Sequence, residues 1–217
     1  MKYSIMMSIF YGIPFIFAKK SYMLLNIISQ LILNVKGWTY DVDVILPIDK
    51  CVLIVAPHTS AWDMVLGKAV FVLAKIPVKI AIKKEAFFWP LSWLLYYLGA
   101  TPIDRSPKDG STKRISLVDA MANSIKDEKK ICMVITPEGT RGKRTQWKTG
   151  FYHVAIKANV PIALGYLDFE IKKGIIDKIF YPSGDMDKDM REIMAYYKDK
   201  VHLGKYQNRC ALDERWS

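Results

Sequence analysis

Residues 51–63, CVLIVAPHTSAWD, decide the fold. Their first six residues form a short, continuous apolar run rich in β-branched side chains, which is typical of a strand buried on both faces of a parallel sheet. A proline, a histidine and two hydroxyl residues follow, and residues 62–73 have the composition of a helix. A strand that passes through a polar loop into a helix is the repeating unit of an α/β domain.

The same alternation continues along the chain. Further apolar runs typical of buried strands lie at residues 78–82, 131–136 and 161–167. Helical patterns lie at residues 112–126, 150–158 and 187–201, the last of them amphipathic. We therefore expect an α/β fold in which a mostly parallel sheet is flanked by helices.

Composition and charge narrow the possible functions. The chain has 217 residues, of which 51% are hydrophobic and 12% aromatic, and this excludes a disordered or collagenous chain. Lys and Arg number 32 against 21 Asp and Glu, so the net charge of +11 favours nucleic acid or an anionic membrane surface as partner. The three cysteines are far apart in the sequence, which indicates neither a structural zinc site nor a disulfide framework.

The first 36 residues differ from the rest. Residues 3–18 are nearly all apolar and end at a lysine pair, and residues 23–35 carry apolar side chains on one helical stripe. The first run is shorter than the roughly 20 residues that a spanning helix needs, and no signal-peptide cleavage site follows it. We predict that residues 1–36 form two membrane-associating helices on the cytoplasmic face, before an α/β domain at residues 37–217. The alternative is a pair of ordinary core helices.

An aromatic block occupies residues 87–98, FFWPLSWLLYYL, with six aromatic side chains in twelve residues. Trp and Tyr prefer the bilayer interface, but a buried helix has a similar composition, and both interpretations remain open. Base stacking is a third option, but it uses aromatic residues spaced singly among basic ones.

His58 and Asp63 are the first candidates for chemistry. Five positions along a helix turn by about 140°, so the two side chains would not share a face if both were helical. They can meet if His58 lies in the loop and Asp63 in the first helical turn, with Thr59 or Ser60 as N-cap. The carboxylate can then bond one imidazole nitrogen while the other takes a proton from a substrate hydroxyl. The structural alternative is an acidic residue at a helix N-terminus beside a loop histidine.

Two further polar clusters follow apolar runs, at residues 99–105 and 137–141. In the second cluster, Gly139 lets backbone N–H groups approach a ligand, Thr140 adds a hydroxyl, and the guanidinium of Arg141 matches a phosphate. Each cluster alone is also compatible with a solvated turn or a surface ion pair. Three such clusters at the ends of apolar runs together predict a ligand site.

Together these residues resemble the motifs of the glycerolipid acyltransferase family, which includes the 1-acylglycerol-3-phosphate acyltransferases. The first motif has the form H-x4-D, the second ends in Asp-Arg, and the third is Pro-Glu-Gly-Thr-Arg, here preceded by threonine instead of phenylalanine. In chain order, the matching residues are 58–63, 99–105, 136–141, and 147–150 with 160–162. The resemblance covers about residues 37–185.

The resemblance implies a reaction and its residues. His58 would be the general base, and Asp63 would orient it. The acceptor hydroxyl would attack an acyl thioester of coenzyme A or acyl carrier protein directly, without an acyl-enzyme. The residues that would line the acceptor head-group site are Arg105, Glu138, Gly139, Thr140 and Arg141. The motifs imply neither a metal nor a bound redox cofactor, and family members use N-terminal helices to sit on the membrane.

Departures from the family pattern bear on the acceptor. Thr136 replaces the usual phenylalanine, and Gly142, Lys143 and Arg144 stand where a serine commonly follows the arginine. The simplest acceptor is 1-acylglycerol-3-phosphate, which would yield phosphatidic acid. The alternatives are a lyso-aminolipid, such as an ornithine or glycine lipid, and a catalytically silent lipid-binding protein. We expect no nucleic-acid partner, because the sequence contains no recognition motif for one.

Overall fold

The computed structural model describes residues 15–83, 88, 92, 100–103 and 115–217. The strands are β1 (Thr39–Asp41), β2 (Lys50–Val55), β3 (Val78–Lys83), β4 (Ala100–Ile103), β5 (Ile131–Ile135), β6 (Ile162–Asp168) and β7 (Lys173–Phe180). The helices are α1 (Phe15–Lys36), α2 (Ala61–Leu73), α3 (Leu117–Lys126), α4 (Gly150–Ala158) and α5 (Met186–Lys198). Short 3-10 turns lie at Asp43–Ile45, Val201–Leu203 and Gln207–Arg209.

The strands form one mixed sheet in the order β1-β7-β6-β2-β5-β3-β4. All neighbouring pairs are parallel except β6 and β7. The predicted α/β fold with a mostly parallel sheet is therefore confirmed, and the four strands predicted from apolar runs are present. β2 lies at the centre, and its residues 51–54 are almost completely buried, because helices cover both faces of the sheet there.

Three strands were not predicted, which are β1 and β7 at one edge of the sheet and β4 at the other. β1 is only three residues long, and β7 includes a glycine, an aspartate and lysines that interrupt its apolar pattern. The turn before β7 is closed by Asp168, whose carboxylate accepts the backbone N–H groups of Glu170 and Ile171 at 2.9 and 3.0 Å. This tight turn makes β7 antiparallel to β6.

The structure does not support the predicted pair of N-terminal helices. α1 continues without a break from Phe15 to Lys36, through Lys19 and Lys20, at which we expected the first run to end. Lysine is a good helix former, and the segment contains neither proline nor glycine. Residues 1–14 lie outside the described part of the chain. Among the described helices, none is both long enough and apolar enough to cross a membrane.

The two faces of the sheet carry different cores. On one face, which we call the filled face, α3, α4 and α5 pack against the strands through large buried side chains, including Ile125, Met133, Phe151, Leu164, Met190 and Tyr197. On the other face, which we call the hollow face, the apolar cluster includes Leu33, Leu53, Leu66, Val70, Leu167 and Ile176. Cys51 and Cys132 are register partners on this face and are buried there, as expected of small hydrophobic residues.

Candidate active site

The loop after β2 is held by the first turn of α2. Ser60 is the N-cap of this helix, and its hydroxyl accepts the backbone N–H of Trp62 at 3.1 Å. Asp63 completes a capping box with Ser60, so the short-range rules of helix initiation bring its carboxylate back over the loop. The loop starts with a cis peptide bond between Ala56 and Pro57.

His58 and Asp63 are in contact. The distance from His58 Nδ1 to Asp63 Oδ2 is 3.0 Å. The same carboxylate oxygen accepts the backbone N–H groups of Thr59 at 2.8 Å and Ser60 at 2.9 Å, so its position is closely defined. Because a carboxylate can only accept, Nδ1 of the neutral imidazole carries the proton and Nε2 is left as the basic nitrogen. The side chain of His58 is 18% exposed, which leaves it accessible from a cavity.

Glu138 supports the same loop from β5. Its Oε1 accepts the backbone N–H of His58 at 2.9 Å. Burial raises the pKa of the Glu138 carboxyl to about 7, against the lowering effect of hydrogen bonds from its own backbone N–H and that of His58. Within the described part of the chain, neither Glu138 Oε2 nor Asp63 Oδ1 has a hydrogen-bond partner, although both are buried. Two incompletely satisfied carboxylates therefore lie close to the histidine.

The loop after β5 brings cationic side chains to the site. Gly139 has a φ of +64°, and a Cβ at this position would lie 2.7 Å from Nζ of Lys148. The backbone N–H of Lys148 bonds the carbonyl of Pro137 at 2.8 Å. Glycine is favoured at position 139, because a positive φ is costly for most residues that carry a Cβ.

A cavity of about 630 Å³ opens beside His58. Much of its described lining lies on the hollow face, between α2 and the sheet, but Met121 of α3 and Phe151 of α4 line it as well. Most of the described lining residues are apolar. Its apolar wall includes Val55, Met64, Phe71, Val134, Leu167 and Ile176. Five of the described lining residues are glycines, which are Gly67, Gly139, Gly150, Gly165 and Gly174. At Gly165, an added Cβ would lie only 3.0 Å from the carbonyl oxygen of Ile175.

The structure brings several of the predicted site residues to this cavity. The predicted residues that line it are His58, Asp63, Gly139 and Arg141. Glu138 and Thr140 are not among the described lining residues. Glu138 bonds the backbone N–H of His58, and Thr140 accepts the backbone N–H of Gly142 at 3.3 Å. Arg105 lies outside the described residues, as does most of the aromatic block at residues 87–98.

Lys68 also lines the cavity and was not predicted as a site residue. It lies on α2, two turns after the N-cap, and no motif includes it. Partial burial lowers the pKa of its ammonium group, since desolvation disfavours the charged form. Lys68, Lys148 and Arg141 are the cationic side chains among the described lining residues. The sequence does show Lys68 on the same helix face as Met64 and Phe71, but this spacing alone does not predict a site residue.

Comparisons with known proteins identify similar acyltransferases. A 1-acyl-sn-glycerol-3-phosphate acyltransferase from Salmonella typhimurium is 33% identical over 113 residues, which cover 50% of this chain and 43% of that protein. Proteins of the same name from Escherichia coli and Cocos nucifera are 32% and 35% identical over 113 and 109 residues. These cover 50% and 48% of this chain, and 43% and 33% of those proteins. The match spans less than half the length of these curated relatives.

The fold is also similar to a solved structure. The 1-acyl-sn-glycerophosphate acyltransferase PlsC from Thermotoga maritima superposes with a TM-score of 0.53 at 16% identity. The superposition covers 82% of this chain and 75% of that one. The family model described as "Acyltransferase" matches residues 39–163, which include the His58–Asp63 contact, the Gly139 loop and more than half of the chain. The chain therefore belongs to the acyltransferase family.

Proposed function

We propose that the protein transfers a fatty acyl group from an acyl thioester to the free hydroxyl of a lysophospholipid, most simply 1-acylglycerol-3-phosphate, to give phosphatidic acid. The observation that carries this proposal is the 3.0 Å contact between His58 Nδ1 and Asp63 Oδ2 on the wall of a large apolar cavity. A histidine oriented by a carboxylate is suited to general-base catalysis. The apolar wall is suited to a lipid.

The proton movements follow from this contact. Nε2 of His58 accepts the proton of the acceptor hydroxyl as its oxygen attacks the thioester carbonyl, and the Asp63 carboxylate stabilises the imidazolium that forms. A carbon–oxygen bond forms, and the tetrahedral intermediate collapses with cleavage of the carbon–sulfur bond. The departing thiolate takes up the proton from the imidazolium. The histidine is neutral again at the end, and no acyl-enzyme is formed.

The cavity suits the acyl chain of either substrate. Its volume of about 630 Å³ lies in the usual range for sites that enclose a small organic molecule. Apolar side chains of β5, β6 and β7 form much of its wall, so an enclosed hydrocarbon chain would lose its contact with water. The catalytic pair lies on the wall of the same cavity, which allows the reacting carbonyl to reach the base while the chain stays buried.

Two cations favour a phosphate on the acceptor. Arg141 and Lys148 follow the same strand and line the cavity together with His58. A guanidinium fork and an ammonium group are the side chains that proteins commonly use to bind phosphate. The curated relatives are named for a phosphate-bearing acceptor, which points in the same direction.

We propose further that α1 holds the protein on the cytoplasmic face of a membrane. The exposed apolar side chains of this helix follow one stripe and include Leu24, Ile27, Leu31 and Val35, of which Val35 is 73% exposed. Trp62 of α2 is 39% exposed, with Lys36 Nζ 4.8 Å and Lys205 Nζ 5.5 Å from its ring centroid. An uncovered apolar stripe that ends in an aromatic ring between lysines is typical of a surface that binds anionic lipid.

The test is thioester-dependent acylation in mixed vesicles by the purified protein. Lysophosphatidic acid and a lyso-ornithine lipid are supplied in parallel, each with acyl-coenzyme A or acyl carrier protein as donor. His58→Ala removes the base, and His153→Ala, on the exposed side of α4, is the matched histidine control. We expect phosphatidic acid from the wild type and from His153→Ala, with none above background from His58→Ala.

Other outcomes separate the alternatives. Acylation of the aminolipid alone would keep the mechanism and replace the acceptor, with Arg141 and Lys148 facing a carboxylate instead of a phosphate. No transfer with any donor or acceptor, while the protein still binds vesicles, would favour a silent lipid-binding protein and contradict the proposal. Flotation with phosphatidylglycerol and with phosphatidylcholine vesicles measures the membrane binding separately.

A further inference from the structure

We propose that residues 204–215, which we call the strap, position the two halves of the active site relative to each other. One part of the strap holds the loop that carries His58, and another part holds the residue next to Lys148. This proposal rests on the proposed function, because its kinetic readout is acyl transfer. The strap is far in the sequence from the residues that it holds, and the strap itself belongs to none of the recognised motifs.

The first hold is on Thr59, which is completely buried. The backbone N–H of Tyr206 donates to Thr59 Oγ1 at 3.2 Å, and Arg209 Nη1 donates to the Thr59 carbonyl at 3.2 Å. The guanidinium of Arg209 stacks on the Tyr206 ring, with its carbon 4.7 Å from the centroid, and this fixes its direction. Thr59 is therefore held through its side chain and its backbone carbonyl together.

The strap also packs closely against the start of the same loop. A Cβ added to Gly204 would lie 2.9 Å from Cγ of Pro57 and 3.0 Å from Cγ2 of Thr59. Even a methyl group would therefore push the strap away from the loop.

A shift of Thr59 would be passed to His58 through two successive hydrogen bonds. The backbone N–H of Thr59 donates to Asp63 Oδ2 at 2.8 Å, and this is the oxygen that contacts His58 Nδ1. Arg209 therefore acts on the base through Thr59 and Asp63. It is a positioning residue and does not belong to the described lining of the cavity.

The second hold is on Trp147. Its backbone N–H donates to Oδ2 of the buried Asp213 at 2.7 Å, and its carbonyl accepts Nη2 of Arg215 at 2.7 Å. Arg215 also donates to both carboxylate oxygens of Asp213, through Nε at 2.9 Å and Nη2 at 2.7 Å. Both backbone polar groups of Trp147 are thus bonded to one ion pair of the strap.

This second hold acts on the anion-binding side of the site. Lys148 follows Trp147 directly, its N–H bonds the Pro137 carbonyl at 2.8 Å, and it lines the cavity beside Arg141. A loss of the ion pair would shift Lys148 relative to the histidine without touching either residue. The two holds therefore predict two different kinetic defects, one for each half of the site.

Arg209→Ala tests the first hold. We expect kcat to fall about tenfold with an unchanged KM for lysophosphatidate, because the base is misplaced while the binding side is intact. Arg209→Lys should recover part of the rate, and millimolar guanidinium should partly rescue Arg209→Ala but not His58→Ala. Arg191→Ala, which removes an exposed arginine of α5, is the matched control and should keep wild-type kinetics.

Arg215→Ala tests the second hold. We expect the KM for lysophosphatidate to rise about tenfold with kcat unchanged, because the cations would no longer be aligned with the phosphate. Arg215→Lys should show a smaller rise. A general loss of folding would lower the thermal midpoint and change kcat in both alanine variants. The strap proposal is overturned if both variants alter the same parameter, or if neither alters any.

Amide hydrogen exchange tests the contacts of the strap independently of enzyme activity. Arg209→Ala should speed exchange at Thr59 and Ser60 but not at Trp147, and Arg215→Ala should do the reverse, because each hold acts locally. If the wild type transfers no acyl group, the proposed function fails while this pattern still supports the strap. Unchanged exchange at all three amides would overturn the strap, whatever the enzyme activity.

Discussion

The filled and hollow faces of the sheet share the same strands but are packed in opposite ways. On the filled face, Met133, Met190 and Tyr197 are at most 1% exposed, and the Tyr197 hydroxyl donates to the Ile54 and Gly165 carbonyls at 3.2 and 3.0 Å. On the hollow face, a cavity of about 630 Å³ remains between the sheet and α2. Adjacent residues of one strand thus belong to a close-packed core and to a cavity wall.

This difference indicates that one face serves mainly stability and the other mainly ligand binding. Close packing contributes most of the hydrophobic stabilisation, and the filled face supplies it. The hollow face forgoes part of that stabilisation and retains a space for a ligand. The catalytic pair follows β2, whose alternate side chains are buried in both cores, so the base is attached to a fully packed strand while it lines the cavity.

The largest expected effect is that of Asp63→Asn at the rim of the hollow face. An amide in place of the carboxylate would no longer fix the histidine tautomer or stabilise the imidazolium. We expect kcat to fall about 10³- to 10⁴-fold, as general-base catalysis is lost. Steady-state acyl transfer measures this. A variant that retains full activity would contradict the assigned role of the pair.

The two leucines of β6 test the packing difference directly. Leu164 is completely buried on the filled face, whereas Leu167 borders the cavity on the hollow face. We expect Leu164→Ala to lower the free energy of unfolding by about 2–5 kcal/mol. Leu167→Ala should cost roughly half as much, since fewer neighbours lose contacts. Urea unfolding of both variants measures this, and equal losses would count against the distinction between the faces.

Glu138 links the stability of the protein to pH. Burial raises the pKa of its carboxyl to about 7 in the folded protein, from an ordinary value of 4.5. The folded state therefore holds this proton more tightly than the unfolded chain, so the contribution of Glu138 to stability falls as the pH rises from about 4.5 to 7. By about pH 7 the total loss of stability from this group amounts to about 3 kcal/mol, and it changes little at higher pH.

Glu138→Gln, which keeps an acceptor for the His58 N–H, should abolish this pH dependence. We expect the variant to be close to the wild type in stability at pH 4.5 and more stable than it at pH 8. Urea unfolding at several pH values between these limits gives the difference in free energy of unfolding between the two proteins. Groups that titrate in the same way in both proteins do not contribute to this difference. A constant difference between the two proteins across this range would show that Glu138 does not titrate there.

The smallest expected effect comes from filling the cavity at Gly67 of α2. A Cβ there meets only the Phe71 ring, at 3.7 Å, so Gly67→Leu adds a side chain without a clash at its base. We expect stability to be kept, because glycine is a poor helix former. The rate should fall about tenfold for long acyl chains relative to short ones, since methylenes are excluded. Gly67→Ala is the control, and an unchanged chain-length profile for the leucine variant would place the acyl chain elsewhere.

Local rules explain what could be predicted from the sequence. The strands of the sheet centre are short apolar runs, and the contact between His58 and Asp63 follows from helix capping within six residues. These features depend on neighbours in the chain, which a sequence displays directly. The single helix α1 shows the limit of such rules, because a lysine pair that ends an apolar run need not end a helix.

The rest depends on contacts between distant segments. Glu138 meets the His58 backbone across 80 positions, and Arg209 meets Thr59 across 150. The cavity that Lys68 lines is formed by α2, β5, β6 and β7, which are far apart in the sequence. The motif predicted Glu138 but not its contact, and no local pattern distinguishes Lys68 or Arg209 from ordinary surface charges. The role of Arg105 remains a prediction from its motif.

Acyl transfer to lysophosphatidate by His58→Ala and His153→Ala, measured beside the wild type, tests the proposed chemistry most directly. Mass spectrometry follows phosphatidic acid and the intact protein in the same reaction. We predict that the wild type and His153→Ala form phosphatidic acid at equal rates, that His58→Ala forms none above background, and that no protein becomes acylated. Full activity of His58→Ala, or an acyl group that accumulates on the wild-type protein, would contradict direct attack assisted by His58.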